Sequence, residues 1–274
     1  MEAVLRRDRT LLFTLAIASL MTVASLGGLV LGNLYSQETP AWYVQCIGQD
    51  IIDLVVVVPT LLLSALVMRK GSRPAFFVWL GATLYTIYTF LIYCFAVHFN
   101  AFFLVYCAVL GLAVYATTAT VVAIDLSALR SWFDEKKSGR PASTFLFALA
   151  VLFGLLWLKE IIPAIFQNEV PQAIKETGLP TNPVHVLDLS MVLPGFIIAA
   201  ILLKRKHPFG YLFAPAFLVF ATLMDVTIGA LVLMMKLRGM EAEYAMIGVF
   251  ALLALATILI LVDLVKPATR SSVS

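Results

Sequence analysis

The chain has 274 residues, 62% of them hydrophobic and 13% charged, with a formal net charge of +3. Soluble domains carry about 45–50% apolar and about 25% charged residues, so an ordinary water-soluble core is excluded. The small positive balance does not point to nucleic acid. The three cysteines, Cys46, Cys94 and Cys107, form no CxxC pair, which argues against a zinc cage or a disulfide framework.

Arg6, Arg7 and Arg9 precede an apolar run from about Leu11 to Leu34. A signal-peptide core spans only about 7–15 residues, and no A-x-A site follows, so this run is expected to be an uncleaved first span. Further apolar runs lie at roughly 48–68, 74–97, 101–124, 143–166, 184–203, 208–235 and 243–265. Each approximates the ~20 residues that a helix needs to cross a ~30 Å hydrocarbon layer. Lipid offers no partner for open backbone groups, and the runs are too long and continuous for barrel strands, so helices are predicted. The fold class is therefore all-α, a polytopic transmembrane bundle of about eight spans in a single membrane domain, residues 1–274.

The connections set the orientation. One group holds Arg6, Arg7, Arg9, Arg69, Lys70, Arg73, Arg130, Lys136, Lys137, Arg140, Lys204, Arg205, Lys206, Lys266 and Arg270. The other holds only Lys175, Lys236 and Arg238, while Lys159 falls inside a span. The positive-inside rule then predicts that both termini and the loops at 69–73, 125–142 and 204–207 are cytoplasmic. The loops leave no room for a soluble catalytic domain, so function must lie in the bundle and its two mouths.

Two stretches can be superposed. Asp53-Leu54, Pro59, Arg69-Lys70 and Pro74 match Asp188-Leu189, Pro194, Lys204-Arg205 and Pro208 in nearly identical spacing. Ile124-Asp125-Leu126 and Val262-Asp263-Leu264 add a weaker echo after spans 4 and 8. This pattern predicts two parallel four-helix repeats, 1–140 and 141–274, related by an axis along the membrane normal. Asp53 and Asp188 would then share one depth, with Pro59 and Pro194 kinking spans 2 and 6 at one level.

Charged groups at the bilayer centre cost about 2.5–3.5 kcal/mol on insertion scales, so each needs a reason to be there. Asp50 and Asp53 share a face of span 2, and His185 and Asp188 share one of span 6. Glu160 falls about 9 Å inside the outer end of span 5, and Asp225 about 15 Å down span 7, at 1.5 Å per residue. His98 and Asn100 form the outer turn between spans 3 and 4. Span 3 adds a stripe of Tyr85, Tyr88, Thr89 and Tyr93 at helical spacing.

Three readings stay open. In the structural one, Asp50 caps span 2, Asn182 caps span 6 with Pro183 in its first turn, and the tyrosines make interhelical hydrogen bonds. In the second, Asp50, Asp53, Glu160, His185, Asp188, Asp225, Tyr85, Tyr88 and Tyr93 bind a small solute, an ion or protons in a pocket open to the extracytoplasmic side. In the third, Asp50, Asp53, Glu160, His185 and Asp188 hold a divalent metal for hydrolysis or redox chemistry, although H-E-x-x-H is absent. Binding or proton-coupled movement of a small solute is the leading expectation, ahead of a metal-dependent membrane enzyme and of a structural or sensory subunit. No cofactor is predicted outside the metal reading.

Gly28 and Gly32, with Ala24 a turn earlier, make a small-residue face suited to close packing, within the chain or in a homo-oligomer. Trp42 and Tyr43 suit the outer interface and Trp132 the inner one. His207 and the Asp134-Glu135-Lys136-Lys137 run read as solvated. Walker A, dinucleotide and G-x-S-x-G patterns are absent, which argues against an ATP-driven pump or a serine esterase.

Gly48-Gln49-Asp50 and Asn182-Pro183-Val184-His185-Val186-Leu187-Asp188-Leu189 resemble stretches of polytopic bacterial membrane proteins, and the likeness extends over most of the chain. The resemblance implies a prokaryotic inner membrane and carries no activity. Span 7 has Asp225 but no buried lysine for a retinal Schiff base, unlike microbial rhodopsins. The chain's three histidines are too few for a zinc-dependent seven-helix hydrolase.

Overall fold

A computed structural model describes residues 8–133 and 139–266. Arg6, Arg7, Arg270 and the charged run at 134–137 lie outside the described residues. Among the described residues the secondary structure is entirely helical, and eight helices are long and apolar enough to cross a membrane. The chain is a multi-pass integral membrane protein.

The long helices are α1 (Asp8–Val30), α2 (Pro40–Arg69), α3 (Arg73–Ala96), α4 (Phe103–Ala123), α5 (Arg140–Gln167), α6 (Pro183–Lys204), α7 (Pro208–Leu237) and α8 (Tyr244–Val265). Within each group of four, α1–α4 and α5–α8, each helix folds back along its predecessor. The connections around 70–72, 124–133 and 205–207 therefore gather at one end, here the basic end, and those around 31–39, 97–102, 168–182 and 238–243 at the other.

Local chemistry fixes several helix starts. Thr39, Ser72, Asn182 and His207 each accept a backbone N–H of the first turn, and each is followed within two residues by a proline. Proline lacks an N–H where none is needed, and its fixed φ suits a helix start. Asn182 and Pro183 thus act as expected. Asp50 does not cap α2, because the helix begins at Pro40, eight residues before the apolar run, and Thr39 is its cap. Asn168 ends α5 in the left-handed conformation at φ 53°.

Spans 2 and 6 are continuous helices, each interrupted by one wide turn. Asp53–Val57 and Asp188–Val192 are π-helical, with the Val58 N–H bonded to the Asp53 carbonyl and the Leu193 N–H to the Asp188 carbonyl. A proline follows each turn closely. Its ring would press on the carbonyl four residues back, of Val55 or Ser190, and an extra residue in the turn relieves that clash.

The helices close into two rings. In the first, α1 packs on α2 and α4, and α3 on the same two. In the second, α6 packs on α5 and α7, and α8 on α7 and α5. The rings meet chiefly through α3 and α7, flanked by the first half of α2 on α7 and the first turns of α6 on α3. Gly81 permits that central contact, since a methyl group there would strike the Ala216 carbonyl oxygen and the Val219 side chain. α3 is the most buried span, while α5 and α8 expose most of their apolar surface.

Gly28 is buried against Asp50 and Tyr35 of its own chain, the close packing within the chain that was one of the two readings of its small-residue face. Two expectations are corrected. Trp42 is buried, its Nε1–H donating to the Ala96 carbonyl at 2.8 Å. Trp132 is also buried, edge-on to Phe76 and Phe77, with the Arg73 guanidinium 5.4 Å from its ring centre.

Candidate functional site

A cavity of about 320 Å³ lies where the two rings meet. Its wall takes Trp42, Gln45 and Gln49 from α2, the tyrosine stripe from α3, and Phe153 and Trp157 from α5. α6 contributes Asp188 and Phe196, with its capping residue Asn182, and α7 Phe220, Asp225 and Thr227. Trp42, Val97, Asn182 and Met235 place one limit of the chamber near the end opposite the basic loops. Phe196 and Phe220 place the other near mid-helix.

Asp188 stands in the first π residue of α6 and is held from two other helices. Tyr88 O–H donates to its Oδ1 at 3.2 Å, and Trp157 Nε1–H to its Oδ2 at 2.9 Å. Each carboxylate oxygen accepts more than one bond, so the group keeps acceptor capacity toward the cavity. Asp225 has a looser attachment, a 3.5 Å contact from the Thr257 hydroxyl of α8, at the limit of hydrogen-bond length. Both carboxylates are buried within the bundle.

A second pair of carboxylates, Asp53 and Asp50, lies behind the wall and is bonded to residues that line it. Gln49 Nε2 donates to Tyr85 Oη at 3.0 Å and to Asp53 Oδ1 at 2.9 Å. Tyr85 Oη in turn lies 2.7 Å from Thr227 Oγ1 on α7. Asp53 is completely buried, and among the described residues its Oδ2 has no partner. Asp50 is sealed as well, but accepts from Tyr93 at 2.8 Å and from Tyr35 at 2.9 Å. Tyr35 stands in the connection before α2, where burial first, then the Asp50 charge, pushes its phenol well above the ordinary tyrosine range.

His185 and Glu160 lie beyond Trp157. The Trp157 and His185 rings are 4.6 Å apart at their centres. His185 Nε2 and Glu160 Oε2 are 3.8 Å apart, within ion-pair range but too far for a hydrogen bond. His185 is buried, whereas the Glu160 side chain is 36% exposed. His98 pairs elsewhere, with Glu38 at 2.9 Å.

The structure thus brings Asp188, Asp225, Tyr85, Tyr88 and Tyr93 onto one wall. Asp50 and Asp53 reach it only through Tyr93 and Gln49, and His185 and Glu160 stand outside it. The acidic residues do not share one cluster, and among the described residues no three His, Cys, Asp or Glu side chains converge as metal ligands would. The sequence reading missed Gln49, Trp157, Thr227 and Tyr35. For Gln49 a signal existed, since it lies four residues before Asp53 on the same face. Comparison with known protein families, with curated proteins and with solved structures finds no match to this chain.

Proposed function

We propose that this protein binds a small solute in the inter-ring cavity and moves it, coupled to protons, across a bacterial inner membrane. The observation that carries the reading is the pair Asp188 and Asp225 on the wall of a chamber set among membrane-spanning helices. Carboxylates are costly at that depth, and those in spans typically mark ion or substrate pathways and proton relays.

The concentration of Lys and Arg in alternate loops supports cytoplasmic termini and a chamber mouth on the extracytoplasmic side. A parallel repeat of 1–140 and 141–274 is part of the proposal. It is supported by wide turns starting at Asp53 and Asp188, six residues before Pro59 and Pro194, and by the meeting of α3 and α7, the third helix of each half. Two such halves can rock about their shared contact and expose the chamber alternately.

The test is flux. Proteoliposomes holding a pH-sensitive dye are offered a panel of cationic, neutral and anionic small solutes. Proton movement that depends on one of them, and that Asp188→Asn or Asp225→Asn abolishes, supports the proposal. Wild-type vesicles that move no protons with any member would refute it.

A further inference from the structure

We infer that the cavity is built for an organic cation with an apolar or aromatic body. The inference deepens the solute-binding reading above and rests on it.

Charge comes first. The chamber wall carries two carboxylates, Asp188 and Asp225, and among the described residues no Lys, Arg or His lines it. Lys236 and His185, each next in sequence to a wall residue, are engaged elsewhere. Lys236 Nζ lies 5.3 Å from the centre of the Tyr244 ring, and His185 packs on the far side toward Glu160. Where these carboxylates are ionised, an anion entering the chamber would meet like charge with no counter-charge on the wall. Within a bundle of low effective dielectric that repulsion is strong.

The rest of the wall selects the body of the ligand. Phe220 lies edge-on to Tyr88 at 5.5 Å between ring centres and tilted to Tyr85 at 6.1 Å, and Phe153 and Trp157 are 6.1 Å apart. Aromatic faces attract a nearby cation through the ring quadrupole. Tyr88 and Trp157 both bond to Asp188, so the carboxylate and two aromatic side chains form one unit facing the chamber. A sugar-like solute would need many free polar partners, and Gln49, Tyr85, Tyr88, Tyr93, Thr227 and Asn182 on the wall are already bonded within the protein. A bare metal ion would need six or so oxygens, and no such set converges among the described residues. The volume, about 320 Å³, matches the lower range of small-molecule sites.

The experiment uses three probes of similar shape: phenyltrimethylammonium, its neutral isostere tert-butylbenzene, and the anion 4-tert-butylbenzoate. Each is titrated into the purified full-length protein in lipid nanodiscs. Binding is followed by calorimetry and by tryptophan fluorescence, to which Trp42 and Trp157 on the wall contribute. The ammonium is expected to bind at least about tenfold more tightly than either relative. Asp188→Asn and, separately, Asp225→Asn should weaken the ammonium by about tenfold and leave tert-butylbenzene unchanged. The comparison of probes on wild-type protein keeps the test decisive if one variant fails to fold. Equal or tighter binding of the neutral or anionic probe overturns the cation assignment and leaves solute binding standing. Silence of all three probes overturns the assignment, and the flux screen above then decides separately whether the wider proposal stands.

Discussion

Gly28 offers the sharpest test of how the first ring is assembled. It is an interior residue of α1, where alanine would ordinarily raise helix stability by about 1 kcal/mol. Here the added methyl would overlap the Asp50 carboxylate and crowd the Tyr35 hydroxyl. Overpacking of this kind costs about 1–3 kcal/mol. Displacing Asp50 also weakens its bonds from Tyr35 and Tyr93, each of a type worth about 1.5–3 kcal/mol when one partner is ionised. Gly28→Ala is therefore expected to destabilise by about 3 kcal/mol, a fall in melting temperature of roughly 6–12 °C on soluble-protein scaling. Thermal melting in detergent by circular dichroism reads it directly. Gly32→Ala, with nothing within 4 Å of the new methyl, should melt with wild type. In an Asp50→Ala background the cost of Gly28→Ala should shrink, since the obstacle is gone. A Gly28→Ala protein as stable as wild type, or one altered only in its oligomeric state, would show that this contact is misassigned.

Further outcomes follow from other contacts. Tyr35 holds its proton to a higher pH when folded than the unfolded chain does near pH 10, so its contribution is intact below that pH and lost as pH rises further. Tyr35→Phe should accordingly flatten the loss of stability above pH ~10, measured by melting temperature against pH. Trp42→Phe leaves the buried Ala96 carbonyl without its donor and should cost about 1–3 kcal/mol in the same melts. Pro194→Ala restores a backbone N–H and removes the clash that sustains the wide turn. It should keep the helical circular dichroism signal yet weaken the ammonium probe by about tenfold, because Asp188 rotates away from Tyr88 and Trp157.

Hydropathy made the eight spans legible because lipid demands long apolar helices, and the tyrosine spacing on span 3 marked a face that does line the chamber. The same physics hid the start of α2. Its first turns carry Gln45 and Gln49, polar because they face the cavity, and they pull the local hydropathy down just where the helix begins. Pairings between helices were not legible. Nothing local in the sequence links Trp157 to Asp188 or Tyr35 to Asp50, since those bonds depend on how helices are arranged. The carboxylates could be flagged one by one from their cost, but which of them faced the cavity and which lay sealed behind it was a tertiary outcome.

The turns at Asp53 and Asp188 amount to one surplus residue in each of two helices. Removing a single amino acid from Leu189–Val192, or from Leu54–Val57, would tighten the coil to ordinary α geometry while the segments on either side kept their angular phase. Span length and membrane topology would survive such a deletion. The carboxylate at the head of each turn would lose the bulge that aims it, so a one-codon change could silence the chamber without dismantling the bundle.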